Sequence, residues 1–155
     1  MITENVPVLG VIYSPILNLL YWSNGENSFK QESVTDWSDF TPEKASLLPI
    51  ESKLEKYSVV ASRSHMSYST KTHLKGLEKK YGGIDIVQMG SSLKICLVAE
   101  GRANEYPRFG PTMEWDTAAG HAICLTAQKD IKDLHSGQSL TYNRENLKNG
   151  EFIVQ

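Results

Sequence analysis

Thr117-Ala-Ala-Gly120, four residues with almost no side-chain bulk inside an apolar run, constrain the packing of this chain more than any other stretch. Glycine within a helix is about 1 kcal/mol less favourable than alanine, so Gly120 marks a place where another element comes very close. The expected helix runs from 116 to about 127 and opens on Trp115-Asp116. An acid at a helix start faces the positive end of the dipole and can cap free N–H groups. It can equally point into a site, and position alone leaves both readings of Asp116 open.

The chain has 155 residues, enough for one domain with a substantial core. Sixteen lysines and arginines face 18 acids, so no global charge argues for nucleic acid or an acidic membrane surface. The early apolar run from Val8 to Leu20 is broken by Gly10, Pro15 and Asn18 and has neither the length of a signal nor that of a spanning helix. The expectation is a soluble cytoplasmic protein without an integral membrane segment and without a nucleic-acid partner, at most loosely associated with the inner face of the membrane. Cys96 and Cys124 lie in separate apolar helical stretches and fit no metal spacing or disulfide framework, so both are expected as reduced core thiols.

In chain order, 7–13 and 19–22 are β-rich, and Asn24-Gly25 before 28–31 is a hairpin signal. Residues 32–55 are polar, contain Pro42 and Pro49, and read as a long connection with no assigned chemistry. A strand over 57–62 ends at Arg63-Ser64-His65. A helix over 70–81 places Leu74, Leu77 and Tyr81 on one face and Lys71, Lys75, Lys79 and Lys80 outside, and Gly82-Gly83 stops it. The lysines read as a solvated face. A strand over 84–89 leads to a buried helix over 91–100, and a short strand over 104–109 follows. Pro107 places that strand at an edge or a bulge. Closing strands are expected within 131–142 and 150–154. Strands alternating with helices give an α/β layered domain. The boundaries are 1–35 for a first hairpin, 36–56 for a connecting loop and 57–155 for the main α/β part.

Several residues can carry chemistry. In Gly90-Ser-Ser-Leu-Lys94, a strand end followed by serines at a helix start suits an anion, and Lys94 falls on the same face as Ser91. The alternative is a serine cap with an incidental lysine, yet a charge in an otherwise buried helix needs a partner. Arg108 shares a strand face with Tyr106 and can grip phosphate in bidentate fashion, or form a salt bridge to Glu105 or Glu114. His65 closes a strand, a usual place for a binding residue. His73 and His135 read as solvent positions, and His121 as a packing or hydrogen-bonding residue rather than a metal ligand. No P-loop, nucleophile elbow, zinc pattern or dinucleotide fingerprint is present. One acid, two cations and amides suited to phosphate fit the binding half of a metal-assisted phosphate site, since magnesium takes one or two carboxylates plus phosphate oxygens and water.

Gly90-Ser-Ser-Leu-Lys-Ile-Cys-Leu-Val-Ala-Glu-Gly101, Tyr106-Pro-Arg-Phe-Gly-Pro-Thr112 and Trp115-Asp-Thr-Ala-Ala-Gly-His121 closely resemble the C-terminal half of CysQ-type 3'(2'),5'-bisphosphate nucleotidases. These are members of the inositol monophosphatase superfamily. Val8-Leu-Gly-Val-Ile-Tyr-Ser-Pro15 and Val60-Ala-Ser-Arg-Ser-His65 match in the same order. The resemblance implies the C-terminal part of a layered α-β-α-β-α sandwich. It also implies magnesium-dependent hydrolysis of 3'-phosphoadenosine 5'-phosphate (PAP) to AMP, the recycling step that accompanies sulfate assimilation. It carries a magnesium-ligand and substrate role onto Asp116, and nucleotide and phosphate contacts onto Ser91, Lys94, Arg108 and His65.

The family's upstream metal ligands, a glutamate and an Asp-Pro-hydrophobic-Asp-Gly-Thr motif, have no counterpart: the chain contains no Asp-Pro, Asp-Gly or Glu-Glu. Asp116 alone cannot hold the ions of a multi-metal phosphatase. The expectation is therefore a C-terminal half that is inactive without a partner, either the missing N-terminal half or a second copy of the chain. Alternatives are a non-catalytic module that binds adenosine phosphates or other anions, and half of an inositol monophosphatase. The unpartnered first hairpin should leave Val8, Val11, Tyr13 and Tyr21 on an exposed apolar edge and promote self-association.

Overall fold

The structure, a computed structural model, describes residues 1–50, 53–61 and 66–155. A tight hairpin of β1 (Ile2–Thr3) and β2 (Val6–Pro7) opens the chain. β3 (Val11–Ser14), β4 (Leu19–Ser23), β5 (Ser28–Gln31) and β6 (Ser46–Leu47) then form an antiparallel sheet in that order. The Asn24-Gly25 signal produces the β4–β5 hairpin, with Ser23 opposite Ser28. The 36–56 connection is more structured than its polarity suggests. It holds two short 3-10 turns, Trp37–Asp39 and Pro42–Lys44, and β6, which pairs with β5. Phe40 from this segment meets Trp22 edge-on at 5.3 Å while Phe29 stacks on Trp22 at 5.3 Å, so the segment covers part of the outer sheet face.

Along β3, Val11 and Tyr13 are exposed, as an edge should be. Tyr21 departs from expectation. Its strand lies inside the sheet, and its ring is 2% exposed, turned to the opposite face from Trp22 and bonded through its hydroxyl to Glu100 at 2.9 Å. Period-two alternation places Tyr21 inward once Trp22 faces outward.

β7 (Tyr57–Ala61) pairs in parallel with β8 (Ile84–Gln88), and α1 (Tyr68–Tyr81) makes the crossover. Gly82 ends α1 in a left-handed conformation, φ +72°, with its amide on the Glu78 carbonyl, as a glycine C-cap requires. α2 (Leu93–Ala99) is buried from Lys94 onward, and β9 (Tyr106–Arg108) follows it. Pro107 sits where its missing N–H does no harm. β9 is the edge of a sheet in the order β11 (Ile131–Asp133), β13 (Phe152–Val154), β9, and a bridge from Val59 to Glu105 joins it to β7. β10 (Thr112–Met113) leads directly into α3 (Glu114–Thr126) and pairs with β12 (Lys148–Asn149).

α3 is the axis on which α2 and the first sheet pack, while α1 packs on β7 and β8 in a separate cluster of Val59, Leu74 and Leu77. A Cβ on Gly120 would lie 2.9 Å from Ile95 Cγ2, so α2 and α3 touch at the predicted glycine. A Cβ on Gly10 would lie 2.1 Å from the Ala119 carbonyl oxygen, so the first sheet rests directly on the α3 backbone. Tyr21 and Leu48 belong to the same hydrophobic cluster as Ile95, Val98, Ile123 and Phe152. Cys96 and Cys124 are free buried thiols within it, and burial raises both thiol pKa values.

Candidate active site

A cleft of about 410 Å³ opens where the loop before α2, strand β9, the β9–β10 turn and the first turn of α3 converge. Its lining includes Ser91, Lys94, Arg108 and Asp116, four of the five residues singled out from sequence. His65, the fifth, falls outside the described residues, as do Arg63 and Ser64.

α3 begins at Glu114, two residues earlier than expected, so Asp116 stands at its third position and is exposed to the cleft. Its Oδ2 accepts the Met113 amide at 2.8 Å, which is the capping role weighed from sequence. Its other oxygen has no partner among the described residues, so capping leaves one carboxylate oxygen available.

Ser91 precedes α2 in the left-handed region, φ +52°. That conformation turns its carbonyl onto the Lys94 ammonium at 2.8 Å. Ser92 occupies the N-cap without a side-chain bond, so the serine-cap alternative is not realised. Lys94 is 8% exposed and its ammonium lies 5.4 Å from the centre of the Tyr106 ring. Desolvation, then the nearby Arg108 charge, lower its pKa. Neither salt bridge considered for Arg108 forms. Glu105 bonds His73 and Tyr57, and Glu114 bonds Arg144. Arg108 Nη2 donates to the Pro111 carbonyl at 3.2 Å, and its buried Nε has no hydrogen-bond partner among the described residues.

The cleft therefore holds two cations, and no carboxylate among the described residues is within ion-pair reach of either. Such a pair repels itself until an anion arrives, and a phosphate would relieve the desolvation of Lys94 and satisfy Arg108 Nε together. As a metal centre the same cleft is incomplete: among the described residues no three His, Cys, Asp or Glu side chains cluster. Asp116 offers one ligand to a divalent ion, and the donors among the described residues do not make a site for it.

Around the cleft, sequence reading missed several partners. His73, expected in solvent, is half-buried against Glu105. Lys30 pairs with Glu100 at 2.7 Å inside the protein. Thr117 joins a buried network with Asn149 and Tyr142 directly behind Asp116. His121 bonds Tyr142 and Asp130, each at 2.9 Å, as a hydrogen-bonding residue should, and burial lowers its pKa although Asp130 opposes this.

The comparisons with known proteins converge. The CysQ 3'(2'),5'-bisphosphate nucleotidase of Salmonella typhimurium is 39% identical over 99% of this chain, which spans 57% of that protein. The corresponding protein of Buchnera aphidicola is 40% identical over 92% of this chain and 49% of its own length. The crystal structure of CysQ from Bacteroides thetaiotaomicron superposes with a TM-score of 0.93 at 42% identity, covering 99% of this chain and 59% of that one. Staphylococcal IMPase-II shares the fold, with a TM-score of 0.67 at 18% identity, 99% of this chain and 55% of that one. The chain thus spans about half to three fifths of the length of these relatives. A family model covers residues 1–150, and the chain belongs to the inositol monophosphatase family.

Proposed function

We propose that this chain supplies the substrate-holding C-terminal half of a magnesium-dependent 3'(2'),5'-bisphosphate nucleotidase, which hydrolyses PAP to AMP and phosphate in the cytoplasm. The observation that carries the reading is the convergence of Ser91, Lys94, Arg108 and Asp116 on one cleft whose cations lack carboxylate partners among the described residues. A nucleotide with two phosphate groups matches two unpaired cations better than a monophosphate of a neutral polyol does. The CysQ relatives are named as 3'(2'),5'-bisphosphate nucleotidases.

In this reading Arg108 and Lys94 bind and orient phosphate oxygens, and Ser91 fixes the Lys94 ammonium through its carbonyl. Asp116, held by the Met113 amide, would offer its free oxygen to a divalent ion. Water adds to phosphorus, the bond to the 3' oxygen breaks, and the released alkoxide takes a proton to give AMP. Magnesium supplies charge neutralisation and a more acidic water when bound. Its remaining carboxylate ligands come from outside this chain.

A second reading is favoured by the absence of a three-ligand cluster among the described residues. The chain then binds adenosine phosphates without hydrolysing them. Calorimetry with AMP tests the part common to both: the chain should bind, and Lys94→Ala and Arg108→Ala should each weaken binding about tenfold or more, as lost charge-assisted contacts do. Unchanged affinity in both variants would remove the cleft from consideration. Phosphate release from PAP then separates the readings. The chain alone should release none, and addition of the N-terminal segment of a CysQ relative should restore magnesium-dependent release that Asp116→Asn abolishes. No release under any combination would leave the binding module.

A further inference from the structure

Helix α1 reaches the residues that flank β9 through one side chain. His73 Nε2 donates to Glu105 Oε1 at 2.5 Å, and its ring lies 5.5 Å from that of Phe109. Glu105 immediately precedes β9 and Phe109 immediately follows it. Glu105 is 3% exposed, and its second oxygen accepts the Tyr57 hydroxyl at 2.7 Å. Tyr57 in turn stacks on Tyr81, at the far end of α1, with 3.9 Å between ring centres. The backbone of Glu105 is tied as well, its carbonyl accepting the Val60 amide at 2.8 Å.

The guanidinium of Arg108 lies over the next part of the same turn. A Cβ on Gly110 would be 3.6 Å from Cζ, and Nη2 bonds the Pro111 carbonyl. Residues 109–111 therefore contact His73 at their first member and the guanidinium at the following two. His73 itself does not line the cleft.

We infer that His73 is a positioning residue for Arg108: by holding Glu105 and Phe109 it fixes the turn that aims the guanidinium into the cleft. The inference rests on the reading of that cleft as a phosphate site. An arginine that grips phosphate through two N–H groups works as a rigid fork. Affinity is lost when the backbone that carries it must be ordered on binding. The brace explains why α1 carries a half-buried histidine on the same helix as four lysines. It also explains how Glu105 is used, since that buried acid lies three residues from Arg108 and pairs with His73 instead.

The test is calorimetry with AMP on the full chain, with thermal midpoints measured beside it. His73→Ala should weaken binding about three- to tenfold, the size of coupling between residues in contact. His73→Gln, which can still donate to Glu105, should recover part of the loss. On an Arg108→Ala background, His73→Ala should cause no further loss, whereas on a Lys94→Ala background its effect should persist in full. A change in fold stability alone would not produce that pattern. If His73→Ala does not fold, His73→Phe keeps the Phe109 contact, removes the Glu105 bond and carries the same cycle. Wild-type affinity in the His73 variants while Arg108→Ala loses binding would overturn the positioning role and leave the cleft assignment standing. An equal loss on the Arg108→Ala background would place the effect elsewhere and overturn it too. Failure of the unaltered chain to bind AMP would remove both.

Discussion

Two polar regions meet at α3 and are built on opposite plans. Behind the helix, Glu114 accepts Arg144 Nε at 2.8 Å and the amides of Asn143 and Arg144. Asn149 donates to Thr117, and Tyr142 links Thr117 to His121, which bonds Asp130. Every side chain named there has a partner. In front of the helix, Lys94 reaches the Ser91 carbonyl and the face of Tyr106, and Arg108 Nε has no hydrogen-bond partner among the described residues. Buried polar groups that are satisfied define a structure, whereas those left open weaken it. The contrast separates what folds the chain from what the chain keeps for a ligand.

The largest effect belongs to the closed side. Glu114→Ala strands Arg144 and two amides and should lower stability by about 2–3 kcal/mol, read from denaturant midpoints. Burial alone would raise the Glu114 carboxyl, but the hydrogen bonds and charge of Arg144 and the two amides outweigh it and lower its pKa. The stability it contributes is thus complete above the ordinary carboxylate value of about 4.3 and fades as pH falls through the lower folded value. The variant should lack this acid limb. An unaltered acid titration of stability would break the contrast at its strongest point.

Tyr142→Phe comes next. It removes one hydroxyl from between His121 and Thr117 and should cost about 1–2 kcal/mol, with AMP affinity unchanged in the same calorimeter. A loss of affinity would show that the two regions are one.

The smallest effect has the opposite sign. Lys94→Met removes a buried cation that no carboxylate among the described residues neutralises and should stabilise the fold by about 1 kcal/mol, a common size where function opposes stability, while AMP binding weakens about tenfold or more. Because burial and Arg108 lower the Lys94 pKa, the penalty is present at neutral pH and fades as pH rises toward the unfolded value of about 10.4. The gain should therefore shrink in alkaline buffer. A variant less stable than the parent would mean that Lys94 is a structural residue.

Local signals carried much of this in the sequence. Gly120 announced the α2–α3 contact, Asn24-Gly25 the hairpin, and the three motif segments brought Ser91, Lys94, Arg108 and Asp116 to one place. What stayed hidden is what depends on partners far along the chain. Glu105 and His73 are 32 residues apart, and Lys30 and Glu100 are 70 apart. No spacing rule pairs such residues, so His73 resembled any polar helix position. β6 was hidden for the same reason: two residues without alternation become a strand because β5 offers them an edge. The early start of α3 follows from β10, which delivers the backbone to Glu114 already aligned by its pairing with β12.

The contact between Gly10 and Ala119 leaves no room for a single added carbon. Close-packed interiors pass displacement on instead of absorbing it. The free margin of the first sheet and the acid at the head of α3 are thereby mechanically one piece. A polypeptide that came to lie along β3 would take its alignment relative to the Asp116 carboxylate from that seat, with no adjustable hinge between them.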